Sequence, residues 1–381
     1  MRGAWKGWVV VAGLCAAPVS LAATVVEPRA RLTLEERYDD DFRLNLGGTG
    51  GQLMTKLAPR FGLEVKEPTF TAEGFYAADL LVRHGSGKVT LDHRGGLRVE
   101  KELSRRLRME LSGRLFRVTD PTSLPRESVA RSAQPLLYGE ARAYAVGRLT
   151  RRVDVAVGYE LEGARVLEGD AAAGLSHTPY VEAWLRASRR LTLGAGYRYQ
   201  VFLFGGDSAR AHGLFAGLGY RLTRQLRVDA RVGPVSYAPS DGTQGVLPWF
   251  RLVLQHDGEL LDVAVIAGHD LVGASGFISA VWADHARVMV QRRFHSRLSA
   301  YAAGSFFRNG RVPGEGAFTL RGGAGGAQGY ALGAGLELEV NPYLSLQVVV
   351  ERISQMGVDE AEEIMDLARN VAAARLRLTA W

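Results

Sequence analysis

From about residue 29 to the end, apolar and polar residues alternate in runs of roughly 10–14, and short polar junctions separate many of the runs. Leu107, Met109, Leu111, Gly113 and Leu115 share one phase, against Arg108, Glu110, Ser112 and Arg114 in the other. The same holds for Val153, Val155, Val157, Tyr159 and Leu161 against Asp154, Ala156, Gly158, Glu160 and Glu162. It recurs in the runs beginning at Leu191, Leu226 and Leu336. Side chains of a strand alternate between its two faces, so each run is a strand with one oily and one charged side. Six junctions look alike: Leu103–Leu107, Leu149–Val153, Ala187–Leu191, Leu222–Leu226, Phe294–Leu298 and Val340–Leu344. Lys66-Glu67-Pro68 and Asp257-Gly258-Glu259 are looser versions.

The pattern predicts eighteen strands, at 29–38, 51–65, 69–83, 88–100, 106–118, 133–148, 152–165, 175–187, 190–203, 209–222, 226–238, 246–257, 259–270, 274–292, 297–307, 328–340, 343–353 and 370–381. Eighteen strands need eight tight turns on one side, the number of short junctions; sixteen is the alternative count. A soluble β-sandwich also alternates, but its strands run to about 5–6 residues. These runs are longer, and aromatics gather near their ends, among them Tyr138, Tyr197, Tyr220, Trp249 and Tyr343. The fold class expected is all-β: a transmembrane antiparallel up-and-down barrel with periplasmic termini, short periplasmic turns and longer extracellular loops. Within the last long loop, Gly357–Arg369 has helical spacing, with Val358, Ala361, Ile364, Met365 and Ala368 in phase and an acidic start.

Composition places this barrel in a compartment. Arg2 and Lys6 precede an apolar segment, Gly7–Leu21, too short to span a bilayer as a helix, and Ser20-Leu21-Ala22 fits a signal cleavage site. The domain reading is a signal peptide at 1–22 and a barrel at 23–381, in the outer membrane of a Gram-negative bacterium. The sole cysteine, Cys15, lies in the leader, so the mature chain has no disulfide and no thiolate metal site. The net charge is +7, or +5 without Arg2 and Lys6. The basic residues are dispersed, which argues against nucleic acid.

The polar phase is where chemistry would reside. Its charges include Arg98, Glu100, Arg108, Glu110, Arg114, Arg142, Asp154, Glu160, Glu162, Arg198, Arg227, Asp229, Arg231, Glu337, Glu339, Glu351, Arg375 and Arg377, read as lumen-lining residues. Such residues tune which solutes pass, or brace a hydrated wall as cross-strand ladders. The arginines among them point to an anionic solute. Tyr144, Phe202 and Phe306 are candidates to face inward, but no regular aromatic ladder for sugars is evident. The turn arginines Arg105, Arg106, Arg151, Arg152, Arg189, Arg190 and Arg224 suit a periplasmic docking face, lipid headgroups or turn solubility. No cofactor or metal is expected. The eight histidines form no His-Glu-x-x-His helix, no Gly-x-Ser-x-Gly elbow occurs, and Gly322–Gly329 lacks the Lys-Ser/Thr of a phosphate loop. No enzymatic activity is expected. Asp39-Asp40-Asp41 reads as a solvated strand end or a calcium site without the usual ligand spacing.

Two stretches carry resemblances. The end, Arg375-Leu376-Arg377-Leu378-Thr379-Ala380-Trp381, resembles the C-terminal signal read by the barrel assembly machinery, except that Leu376 and Leu378 are out of phase with Trp381. Leu34–Phe42, with its Tyr38-Asp39-Asp40 step, resembles the first strand of outer-membrane barrels encoded with exopolysaccharide systems. That resemblance implies a porin-like channel exporting a surface polysaccharide with a periplasmic export partner. The alternatives are a general or anion-preferring diffusion porin for small polar solutes, and a structural or adhesive barrel with a closed lumen.

Overall fold

A computed structural model describes residues 24–40, 51–119, 135–167, 173–204, 207–239, 244–273, 280–310, 326–357 and 367–380. Every regular element among them is a strand. In chain order they are β1 (Val25–Asp39), β2 (Gln52–Glu67), β3 (Phe70–Arg83), β4 (Val89–Ser104), β5 (Leu107–Val118) and β6 (Leu136–Arg148), then β7 (Val153–Val166), β8 (Gly174–Arg186), β9 (Leu191–Phe204), β10 (Asp207–Arg221), β11 (Leu226–Pro239) and β12 (Gly245–Asp257), and finally β13 (Leu261–Gly273), β14 (Ala280–His295), β15 (Leu298–Gly310), β16 (Gly326–Asn341), β17 (Leu344–Gly357) and β18 (Leu367–Ala380). Each pairs antiparallel with its sequence neighbours, and β1 also pairs with β18, so the sheet closes into a ring. The expected eighteen-stranded barrel is the fold. A 14-residue strand such as β3, at about 3.3 Å per residue and a tilt of about 40°, rises about 35 Å, enough to cross a hydrocarbon layer of about 30 Å.

Five of the eight tight turns share one device. Thr150 Oγ1 accepts from the backbone N–H groups of Arg152 and Val153 at 3.2 and 3.1 Å, and Ser188 Oγ from those of Arg190 and Leu191 at 3.1 and 3.0 Å. Thr223 does the same for Gln225 and Leu226, Ser104 for Arg106, and Asn341 Oδ1 for Tyr343. A short side-chain acceptor thus substitutes for a backbone partner as the chain reverses, which is why Ser, Thr or Asn recurs at these positions.

Register fixes the two faces. Leu97, Leu115, Val157, Leu214, Val232, Leu336 and Val348 point outward and are more than half exposed. The charged phase points in. Closure between the first and last strands is held from inside the ring: Arg369 and Asp39 are both fully buried, with guanidinium nitrogens 2.5–3.0 Å from the carboxylate, and Arg375 Nε lies 2.6 Å from Glu35.

The ring is not evenly round. β8 and β13 are not sheet neighbours, yet they come within 8 Å, Cα to Cα. The arc between them, β9 to β12, forms a side lobe filled by inward Phe202, Phe204, Phe215, Val235, Tyr237 and Trp249, all buried. Two ion pairs cross this lobe: Arg231 to Glu182 at 2.7 Å, and Arg198 to Asp270.

Several finer expectations are corrected. Phe306 points outward and is 45% exposed; its neighbour Phe307 is the inward ring. Leu367–Arg369, assigned to the helical stretch, begin β18, while 358–366 lie outside the described residues. Gly326–Gly329 open β16 rather than a loop, because they pair with the end of β15. Asp39 is a buried ion-pair partner and not a solvated end, and Asp40 accepts from Asn370; Asp41 lies outside the described residues. So do the proposed signal peptide and Trp381.

Candidate functional site: the lumen wall

The inner wall is built by strict two-residue periodicity, so neighbouring strands bring charges into rows. On β4 to β8 these form a continuous mixed network. Arg98 reaches Glu100 at 2.6 Å and Glu110 at 3.2 Å, relieving a directly opposed Glu100–Glu110 pair. Tyr144 donates to Glu110 at 2.7 Å. Arg114 lies 3.6 Å from Glu140, and Arg142 lies 3.2 Å from Glu160 while donating to Tyr180 Oη at 3.0 Å. Glu162 stands opposite Glu140. Arg186 bridges to Asp154 at 2.5 Å. On β11, Arg227 lies 3.5 Å from Asp229. Across β16 to β18, Arg377 bridges to Glu337 at 2.9 Å, and Arg375 also reaches Gln347. Glu351 faces inward from β17, in register with Val371. Arg108 and Glu339 face inward near the turn end, and both are exposed. The wall encloses cavities of about 820 Å³ and 570 Å³. The larger lies against β6 to β13 and is lined by Arg142, Tyr180, Glu182, Arg231 and Arg251, among others.

Arginines also meet directly: Arg231 stands opposite Arg251 on β11 and β12, and a second such row lies on β1 to β4. Arg31 on β1 stands directly opposite Arg60 on β2, and two strands further along the same row lies Arg94. Arg94 pairs with Asp79 at 2.7 Å. Arg60 stacks on Phe75 with its guanidinium carbon 3.9 Å from the ring centre. Among the described residues, no carboxylate lies within 4.0 Å of Arg31 or Arg60. Like charges directly opposite on a sheet face repel.

The inward aromatics sit elsewhere. Trp184, Phe215 and Trp249 form a run, the last two stacked at 5.7 Å and 9°. Arg231 lies over Trp184 and Phe215, each at 5.1 Å, and Arg198 over Trp249 at 4.6 Å. The rings lie flat because β9 and β10 carry glycine beneath them: a Cβ on Gly217 would lie 2.7 Å from the Trp184 ring.

The turn arginines Arg105, Arg106, Arg151, Arg152, Arg189, Arg190 and Arg224 are all exposed at the turn end. On the outside, the apolar surface is bordered toward the loop end by Tyr76 on His93, Tyr159 on His177 and Tyr197 on His212, with ring centres 6.1–6.2 Å apart. A closed ring with all backbone groups paired, an apolar exterior, an aromatic border and a charged interior is stable only across a membrane. The protein is an outer-membrane β-barrel.

No protein-family model matches this outer-membrane barrel, and no curated protein matches it. Solved structures do. OpdK from Pseudomonas aeruginosa aligns with 12% identity over 93% of this chain and 99% of its own, with a TM-score of 0.46. OccK2 (OpdF) of the same organism aligns with 10% identity over 93% and 98%, with a TM-score of 0.47. OccAB4 from Acinetobacter baumannii aligns with 11% identity over 93% and 98%, with a TM-score of 0.46. With TM-scores below 0.5, these similarities say nothing of what passes through this barrel. Among the described residues no three His, Cys, Asp or Glu side chains gather as a metal would require.

Sequence reasoning passed over Arg31, Arg60 and Glu182. Arg31 sits in the first strand, where Pro28 and Glu35-Glu36-Arg37 blur the alternation, and Arg60 follows Pro59. Only the β1–β2 register, set across a long loop, makes the two arginines opposite.

Proposed function

We propose that this barrel is a diffusion channel for small charged solutes with a preference for anions. The observation that carries the reading is the Arg31–Arg60 pair, two directly opposed arginines with no carboxylate within 4.0 Å. A carboxylate or phosphate passing the pair relieves their repulsion, and a local positive potential raises the anion concentration along that side of the lumen. The surrounding mixed network supplies water-like partners for the rest of a polar solute.

Export of a surface polysaccharide, implied by the resemblance of the first strand, calls for aromatic platforms along the open part of the lumen. The inward run Trp184–Phe215–Trp249 borders the larger cavity, but Phe215 and Trp249 are buried and the run is capped by two arginines, which favours the small-solute reading. A periplasmic partner docking on the turn arginines belongs with the export reading, and gene deletion separates the two: loss of surface polysaccharide with unchanged solute uptake supports export. Planar bilayers test the proposal directly. Reversal potentials in a KCl gradient are expected to give chloride preference, and Arg31→Gln with Arg60→Gln is expected to lower the chloride-to-potassium permeability ratio by about threefold. Cation preference in the wild type, an unchanged ratio in the double variant, or no steady current at all would overturn it.

A further inference from the structure

On the outer surface near the β18–β1 closure, a groove of about 410 Å³ runs across β16, β17, β18 and β1. It arises from side-chain size. One outward row reads Ala334, Val350, Ala372, Tyr38 on four consecutive strands, so Ala372 leaves a trough between Val350 and Tyr38, and Ala334 lowers the wall on the far side of Val350. The outward row one step toward the loops reads Leu332, Arg352, Asn370. The floor is apolar, and its loop-side end is closed by a cation.

Arg352 has an unusual set of partners for a guanidinium on a lipid-facing wall. It donates to Tyr330 Oη at 3.1 Å and to Asn370 Oδ1 at 3.3 Å, both neutral. The carboxylates that share this face are engaged elsewhere. Asp40 accepts from the Asn370 backbone N–H at 2.6 Å and from its Nδ2 at 2.5 Å, and Glu36 accepts from Thr55 at 2.6 Å with His84 3.8 Å away. Asp40 lies two strands from Arg352, about 10 Å at the usual strand spacing. A cation beside hydrocarbon is costly unless an anion meets it. At the loop end of an outer-membrane barrel the available anions are the phosphates of outer-leaflet glycolipid, whose acyl chains descend beside them.

We propose that this groove is a binding site for a phosphorylated glycolipid of the outer leaflet, one acyl chain lying over Ala372 between Val350 and Tyr38 and a phosphate on Arg352. The polar end and the apolar trough are adjacent and in the order such a lipid requires: phosphate toward the loops, chain toward the bilayer centre. The site is independent of what crosses the lumen.

The test uses the full-length barrel in mild detergent, with purified lipid A as the probe and native mass spectrometry as the readout. One retained lipid A per barrel is expected, with lipid A stripped of its phosphates bound at least about tenfold more weakly, the order expected for losing one charge-assisted contact. Arg352→Gln removes the charge, and Ala372→Leu fills the trough; each is expected to weaken retention by a similar factor. Both residues point into lipid, and heat-modifiable gel mobility confirms folding. Arg117→Gln serves as the comparison, because Arg117 also faces outward and is exposed but bonds the Leu91 carbonyl at 2.8 Å away from this groove. Equal binding of lipid A and its dephosphorylated form overturns the proposal, as does wild-type retention by both groove variants. So does a cross-link between two copies carrying Ala334→Cys in native membranes, which would assign the groove to a second barrel.

Discussion

Asp39 and Arg369 are both sealed from solvent and paired, and Asp39 is also met by Arg37 Nη2 at 2.9 Å. Removing one partner of a buried pair typically costs about 3–5 kcal/mol, because the remaining charge is stranded. Asp39→Ala is therefore expected to lower stability by that amount in urea titrations of the barrel in lipid vesicles, whereas replacing both residues by apolar ones of similar size costs less. A second residue-scale prediction concerns Gly217. A valine there meets the Trp184 indole and forces it off the wall, so tryptophan emission should shift to longer wavelength. At this scale the sequence was only partly legible. The inward phase of Arg108, Arg142, Arg227 and Glu337 follows from simple alternation. Phe306 was assigned inward although the parity of Tyr301, Ala303 and Ser305 places Phe307 there. Two adjacent phenylalanines give no apolar–polar contrast by which to choose.

The tight turns at Thr150, Ser188 and Thr223 are small cooperative units: a side-chain acceptor, two backbone donors and a following strand whose first residue is fixed by them. Thr150→Ala, Ser188→Ala and Thr223→Ala should each cost about 0.5–1.5 kcal/mol, the usual net worth of such bonds. Because the turns share no partners, the triple variant should show the sum of the single losses within about 0.5 kcal/mol in the same unfolding assay. The recurrence of Ser or Thr before a basic residue made these elements readable in advance, and with them the strand count and up-and-down order. Strand ends at the loop side were less readable. β18 reaches back to Leu367, because the alternation there overlaps a helical spacing; the expected start of β14 near 274 lies outside the described residues.

The molecule as a whole divides its interior into an aromatic side lobe and a charged main wall, and no local pattern announces this. The approach of β8 to β13 joins segments about ninety residues apart, and Arg198–Asp270 and Arg231–Glu182 span 72 and 49 positions. Periodicity says which residues face inward, but not which inward residues meet across the space. If the two ion pairs hold the lobe shut, Arg198→Ala with Arg231→Ala should raise single-channel conductance without moving the anion preference set on β1 and β2; an unchanged conductance would mean that the aromatic packing alone closes it.

The pairing of β1 with β18 also sets a timetable. Asp39 waits for a partner 330 positions away, and Glu35 for one 340 away. Until the last strand arrives, the first presents an open edge to any other chain, the condition under which β-structure joins the wrong partner. Ring completion is therefore the final event of assembly, and shelter of the solitary first strand until then protects the chain from joining the wrong partner.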